Sequence, residues 1–247
     1  MSEDLVIVPL YNEVATVEAS LLAIRRHHRG DILVVDDGST DGSGAILDRL
    51  DFISQLRHPV NTGYGAALND GFGWGLERGY RAIVTCDCDE QHEPSLIPRL
   101  LDRLGDTDIL SGSRYLEEGA DDDPPPVDRR WVNLTITNLL NELTGYRLTD
   151  GFCGFKAYRT QSLARMSLTE PGYAQPLQMW IQAAALGLTV AETPVPRIYQ
   201  NLNRSFGEAL DDRDRRLAYY LDTIRAELAR WPQFAGVELP PLQSETP

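Results

Sequence analysis

The chain has 247 residues, 42% of them hydrophobic, and a formal net charge of -14. That length buries a sizeable core in one large α/β domain, and the charge excludes general nucleic-acid binding and passive attraction to an anionic membrane surface, so any phosphate site has to be local. No apolar run reaches the roughly 18 to 20 residues that span a bilayer, and residues 1–4 are acidic where a signal peptide is basic. Cys86, Cys88 and Cys153 make no metal-type pair, so the expectation is a cytoplasmic protein with the option of peripheral membrane association.

Residues 4–10 (DLVIVPL) read as a strand that ends at Tyr11, Asn12 and Glu13, and residues 14–27 as an amphipathic helix. Residues 31–35 form a second strand, ending at Asp36, Asp37 and Gly38; the glycine permits a tight turn, and the segment from Ser39 to Asp41 offers N-caps to a helix over 43–50. Asp36 and Asp37 are open to two readings, turn chemistry or ligand binding at the sheet edge. Residues 53–57 are a weak strand, after which Gly63 and Gly65 open a helix running to about residue 78, a start that can receive phosphate. Residues 83–86 make a buried fourth strand that ends in Asp87, Cys88 and Asp89, with Gln91 and His92 just beyond and Pro94 starting a helix over 94–104. Two carboxylates and an amide oxygen form a hard oxygen site suited to Mg2+ or Mn2+ holding a diphosphate; the plain alternative is a solvated acidic turn.

A fifth strand over 108–113 ends at Arg114 and Tyr115, and the alternation of strands with helices predicts a Rossmann-like, doubly wound, mostly parallel sheet. Residues 116–127 combine acids with three prolines and read as a functional surface loop, a lid that orders when the diphosphate-bearing ligand and metal are both bound. A helix over 129–143 follows, then a Gly- and aromatic-rich turn over 149–159 leading into a strand. Residues 173–186 are a core helix in which Met179 and Trp180 serve packing. Pro194 and Pro196 mark the strand over 189–198 as an edge. Residues 208–231 form an amphipathic helix with Leu210, Leu217, Tyr220, Leu221, Ile224 and Leu228 on one face, docked on the domain, and residues 232–247 a flexible tail.

With these residues assembled, the chain resembles the family 2 glycosyltransferases of the GT-A fold, and within them the branch of dolichyl-phosphate mannose synthase and related polyprenyl-phosphate sugar transferases. The resemblance runs from about residue 4 to 207 and rests on an ordered set: PLYNE at 9–13, VDDGS at 35–39, NTGYG at 61–65, DCDEQH at 87–92, GSRY at 112–115, and Asp150 with Gly154 and Phe155. It implies a single GT-A domain over 1–231, with a nucleotide-sugar half (1–115), an acceptor half (116–207) and a C-terminal helix. By the same resemblance Pro9, Tyr11, Glu13, Val35 and Asp37 would hold base and ribose, with Asp87 and Cys88 near the ribose and sugar. Asp89 and Gln91 would hold the divalent metal, and Arg114, Phe155 and Arg159 would lie against the phosphates or sugar. A phosphate acceptor would need no general base; an alcohol would, with His92 and Asp150 as candidates. The branch's Gly-x-Ser-Lys after the last strand is missing: an ungapped reading puts Asn203 at the Gly and Phe206 at the Lys, leaving Arg197 and Arg204 as phosphate-binding candidates.

The activity implied is a metal-dependent, inverting transfer of hexose from a GDP-mannose or UDP-glucose type donor to a polyprenyl or dolichyl phosphate. Alternatives are transfer to a glycan or soluble hydroxyl, and a catalytically silent sugar-nucleotide binder. A phosphoacceptor receiver is disfavoured, because receivers are about half this length and need a lysine opposite a lone phosphorylated Asp, whereas Lys156 is the only lysine here.

Overall fold

A computed structural model describes residues 3–117, 119, 122–198 and 208–239. Seven strands, β1 (Asp4–Leu10), β2 (Asp31–Asp36), β3 (Ser54–Arg57), β4 (Ala82–Thr85), β5 (Ile109–Ser113), β6 (Lys156–Arg159) and β7 (Val190–Pro194), form one sheet in the order β3-β2-β1-β4-β6-β5-β7. β6 is antiparallel to both its neighbours, and the remaining pairs are parallel. The expected mostly parallel sheet is therefore interrupted by one reversed strand. Both weak strands take the edges: β3 is short and partly exposed, and β7 ends at Pro194.

Alternation along the central strands divides the core in two. Leu5, Ile7, Leu33, Val35 and Ile83 face one layer, while Val6, Val8, Ile32, Val34 and Val84 face the other. Helices α1 (Val17–His27), α2 (Ser43–Leu47) and α4 (Ile97–Leu104) bury Val17, Leu21, Leu47, Ile97 and Leu100 in the second layer. Helices α3 (Tyr64–Glu77), α5 (Val127–Thr144), α7 (Gln175–Ala185) and the short α6 (Thr160–Leu163) cover the first, with Met179 and Trp180 buried there. A 3-10 turn, Pro94–Leu96, precedes α4; Glu93 caps it, its Oε1 accepting from the Ser95 N–H at 3.1 Å.

The chain ends with α8 (Glu208–Asp211) and α9 (Arg213–Leu228), whose start is capped by Asp212 accepting from the Arg215 N–H at 2.9 Å. Leu217, Tyr220, Leu221, Ile224 and Leu228 recur at helical spacing, are all buried, and join the core cluster that holds α5 and α7. Each such burial is worth roughly 1.5–3 kcal/mol before the entropy of ordering, which fixes the helix on the domain. The expected flexible tail is overturned over residues 232–239. Pro232–Phe234 make a 3-10 turn, the Gln233 amide donates to Ala185 O at 2.7 Å, and Phe234 and Leu239 pack on the core.

Candidate active site

Strands β1, β2 and β4 end side by side about the point where strand order reverses, and such a reversal opens a crevice at the carboxyl ends. Asp37, just past β2, is buried. Its Oδ1 lies 2.7 Å from His58 Nδ1 and accepts from the Thr62 N–H at 2.8 Å and hydroxyl at 2.7 Å, while Oδ2 accepts from the Gly63 N–H at 2.8 Å. The carboxylate thus braces the 58–63 loop and forms part of the crevice wall. The glycine-opened start of α3 does not await a phosphate: Pro171 O accepts from the Ala66 N–H at 3.0 Å, and a Cβ on Gly63 would fall 2.3 Å from that same oxygen.

Past β4 the chain reverses through Glu90, a non-glycine residue at φ 61°. This turn returns Gln91 and His92 to the side of Asp87 and Asp89, and the Gln91 N–H donates to Asp89 Oδ1 at 3.1 Å. His92 Nδ1 accepts from the Asp87 N–H at 2.9 Å, its Nε2 lies 3.8 Å from Asp87 Oδ2, and its ring stacks on Phe155 at 5.1 Å. Tyr64 donates to Asp87 Oδ1 at 3.1 Å; burial first and the Asp87 charge next push this phenol well above its ordinary pKa, so it remains a donor. These groups converge where Gly154 lies, since a Cβ there would be 2.8 Å from Tyr64 Oη and 2.9 Å from Asp87 Oδ2.

Arg114, past β5, is held by Asp150 in a two-pronged pair, Nε to Oδ2 at 2.6 Å and Nη2 to Oδ1 at 2.9 Å. Asp150 has no exposed surface and also accepts from Asn133 Nδ2 at 2.8 Å and the Phe152 N–H at 3.2 Å. Burial alone would raise its pKa, but the Arg114 charge and these hydrogen bonds hold the carboxyl well below the usual carboxylate range. The turn over 149–154 is fastened from beneath. Glu192 accepts from the Thr149 and Asp150 N–H groups at 2.8 and 3.1 Å, Trp180 donates to Gly151 O at 2.8 Å, and the buried Lys156 donates to Cys153 O. Burial pushes the Lys156 amine below its ordinary pKa.

Acidic wall and arginine side meet in one cavity of about 620 Å³. Of the expected site residues, Pro9, Tyr11, Glu13, Asp37, Asp87, Cys88, Asp89, Gln91 and Arg114 line it, as does His92. Others do not. Val35 is buried in the core; Phe155 lies behind His92, and Phe152 and Gly154 take the lining position instead. Arg159 is at the opposite sheet edge, paired in register with Ala82 and 3.4 Å from Asp106, because reversed β6 runs away from the crevice. Arg197 stands behind the lining, donating through its N–H to Asp122 Oδ1 at 2.9 Å, through Nε to Asp123 O at 2.5 Å and through Nη1 to Arg114 O at 3.4 Å, with its guanidinium 5.5 Å from the ring of the lining residue Tyr115. Arg204 lies outside the described residues. Neither candidate general base is placed to take a proton, since Asp150 is consumed by Arg114, and His92 has Nδ1 occupied and Nε2 turned toward a carboxylate.

Arg129, Val132, Asn133, Tyr173, Leu210, Arg216 and Tyr220 also line the cavity and were absent from the sequence expectation. The available signal for Arg216 was a cation one turn before Tyr220, on the apolar face of the last helix. Among the described residues no three His, Cys, Asp or Glu side chains form a metal cage. Asp89 and Gln91 instead offer hard oxygens on the cavity wall, a donor set that fits a divalent ion drawing its other ligands from a diphosphate and water.

A sequence model of Glycosyl transferase family 2 matches residues 5–166. An undecaprenyl-phosphate mannosyltransferase of Micrococcus luteus is 32% identical over 209 residues, covering 81% of this chain and 86% of that protein. A polyprenol monophosphomannose synthase of Mycolicibacterium smegmatis is 35% identical over 207 residues, covering 77% and 76%. Among solved structures, glucosyl-3-phosphoglycerate synthase from Mycobacterium tuberculosis with Mn2+, uridine diphosphate and phosphoglyceric acid superposes with a TM-score of 0.67 at 21% identity, over 95% of this chain and 79% of that one. That likeness is one of fold.

Proposed function

The chain belongs to glycosyl transferase family 2 and is a glycosyltransferase of the GT-A fold; from that premise we propose that it moves a hexose, with inversion, from a nucleoside-diphosphate sugar to a polyprenyl phosphate. The observation that carries the reading is the mixed lining of a single cavity: strand-end carboxylates Asp37, Asp87 and Asp89 with Arg114 form one wall, and Arg129 among apolar Val132, Phe152 and Leu210 the other. The first wall suits a sugar nucleotide, whose ribose and base present hydrogen-bond donors. The second suits a phosphate on a hydrocarbon chain. Two relatives whose names carry both a lipid phosphate and mannose support the same assignment.

In this reading residues 1–115 bind the donor, with Tyr11 and Glu13 at the nucleoside and Asp87 at the ribose or sugar. Asp89 and Gln91 would hold a divalent ion, Mg2+ or Mn2+, whose chemistry is to neutralise the diphosphate leaving group. Arg114, aimed by Asp150, lies against the phosphate oxygens and stabilises charge as the bond between the anomeric carbon and the diphosphate oxygen breaks. An acceptor phosphate oxygen forms the new bond to that carbon from the opposite face. It is already an anion, so the lack of a free base at His92 or Asp150 is no obstacle. Among the described residues no helix is long and apolar enough to cross a membrane, so the enzyme would meet its lipid acceptor at the membrane surface.

The test is titration of the purified protein with GDP, UDP and their hexose conjugates, with Mn2+ and with EDTA, followed by transfer assays to polyprenyl phosphate in detergent. Metal-dependent binding of one nucleotide and transfer to the lipid phosphate are expected. Transfer to hydroxyl acceptors alone would refute the acceptor assignment, and binding of neither nucleotide would refute the donor site.

A further inference from the structure

We propose that Tyr219, on the C-terminal helix, is a positioning residue for the donor side of the cavity: it latches residues 169–174 so that Tyr173 stacks on Tyr64 and Tyr64 holds Asp87. The inference rests on the glycosyl-transfer reading above, in which Asp87 meets the ribose or sugar. Glu170, Tyr173 and Tyr219 all lie beyond the family-matched segment, which ends at residue 166.

The latch is built from one phenol and one carboxylate. Tyr219 Oη donates to Glu170 Oε1 and accepts from the Ala174 N–H at 3.3 Å, and the same Oε1 accepts from the Gly172 N–H at 2.9 Å. Burial first, and the bond to Glu170 next, push this phenol above its ordinary pKa, so it stays a donor. Tyr219 thereby ties α9 to the turn on both sides of Tyr173. The same turn is seated on α3, where Pro171 O accepts from the Ala66 N–H at 3.0 Å and Glu170 O from Asn69 Nδ2 at 3.2 Å. Both seats are close-packed: a Cβ on Gly172 would run into the Tyr219 hydroxyl, and one on Gly65 would fall 2.7 Å from Gly172 O.

The turn delivers the Tyr173 ring, which lines the cavity and lies 5.7 Å from the Tyr64 ring with the two planes 17° apart. Tyr64 opens α3 and donates to Asp87 Oδ1 at 3.1 Å, so the contacts that start on α9 end on a carboxylate of the donor wall. The next residue of α9, Tyr220, lines the cavity with its ring 5.0 Å from that of Phe152, on the other wall. One helix serves both walls through adjacent side chains. Removing the Tyr219 hydroxyl therefore acts on the donor side, whereas a general loosening of α9 would disturb the acceptor side as well.

The experiment is steady-state kinetics of wild type, Tyr219→Phe, Tyr64→Phe and the double variant, with the acceptor that wild type uses. Tyr219→Phe keeps the ring and loses only the hydroxyl; its kcat should fall about five- to tenfold while the KM for the acceptor is unchanged. In the Tyr64→Phe background the same change should cost less than about twofold, because the group it acts through is gone. Glu170→Gln, which keeps an oxygen for Tyr219 and Gly172, should turn over like wild type, and Glu170→Ala like Tyr219→Phe. A wild-type kcat in Tyr219→Phe, a raised acceptor KM, or losses that simply multiply in the double variant would overturn the proposal and leave the glycosyl-transfer reading intact. Failure of wild type to transfer hexose to any acceptor would overturn both. Should Tyr219→Phe melt early, the Glu170 pair decides: equal kcat in Glu170→Gln and Glu170→Ala overturns the proposal.

Discussion

Replacing Asp150 by Asn removes one charge and almost no volume from a site with no exposed surface. Breaking a buried pair by deleting one partner costs about 3–5 kcal/mol; the amide can still accept from the Phe152 N–H, which brings the expectation to roughly 2–4 kcal/mol. For a chain of this size each kcal/mol moves Tm by about 2–4 °C, so Asp150→Asn should melt about 5–15 °C earlier at neutral pH. The pH dependence has a fixed sign. The folded-state carboxyl is held below its unfolded value, so its contribution is complete above the unfolded pKa near 4 and is lost as pH falls from there toward the folded value. The Tm gap between wild type and Asp150→Asn should therefore be constant from about pH 7 to 5 and shrink below about pH 4. Arg114 loses its aim at the same time, and kcat should fall about 10²–10³-fold, the cost of losing a charge-stabilising donor. Differential scanning calorimetry across pH and initial-rate kinetics read the two effects. A gap that stays the same down to pH 3, or an unaltered kcat in a destabilised protein, would refute the account of Asp150 as the residue that holds Arg114.

Asp89→Ala should abolish Mn2+-dependent nucleotide binding in calorimetric titration and leave the circular dichroism spectrum and Tm within a few degrees of wild type; normal metal-dependent binding would exclude Asp89 as a ligand. Gly154→Ala puts a methyl 2.9 Å from Asp87 Oδ2 and 2.8 Å from Tyr64 Oη, so turnover should drop at least about tenfold, with Gly154→Ser worse; wild-type rates in both would show that the turn yields freely. Residues 116–127, tied to the last strand's exit through Asp122, Asp123 and Arg197, should become resistant to limited proteolysis only when nucleotide and metal are both present. Cleavage there that ignores both ligands would remove the lid assignment.

The acidic half of the site was legible because its logic is local. A short apolar run followed by carboxylates is a strand end whatever the rest of the chain does, and three such ends converge once the strands are parallel. Arg159 was misplaced because a strand's direction is not written in its residues: Lys156–Arg159 has the same composition whether it runs toward the crevice or away, and pairing between β4 and β5 decided the matter. Phe155 and Val35 were lost to one-residue questions of facing, since neighbours on an extended segment point to opposite sides. Arg129 and Arg216 needed tertiary knowledge of another kind, that α5 and α9 border the same cavity. The tail over 232–239 misled by composition, because Pro232 and Gln233 read as solvated while Trp231, Phe234 and Leu239 supplied enough apolar surface to dock it.

The lone lysine has a practical side. Lys156 sits under the 149–154 turn with 2% of its surface exposed, and it is the only side-chain primary amine in the chain. An acylating reagent added to the folded enzyme finds no other lysine to modify, and it reaches this one only when the floor beneath Arg114 opens. Peptide-level mass spectrometry of the Lys156 adduct over time would therefore clock the opening of the floor beneath Arg114, without an engineered label, and a bound nucleotide that slows the clock would measure how far the ligand tightens that turn.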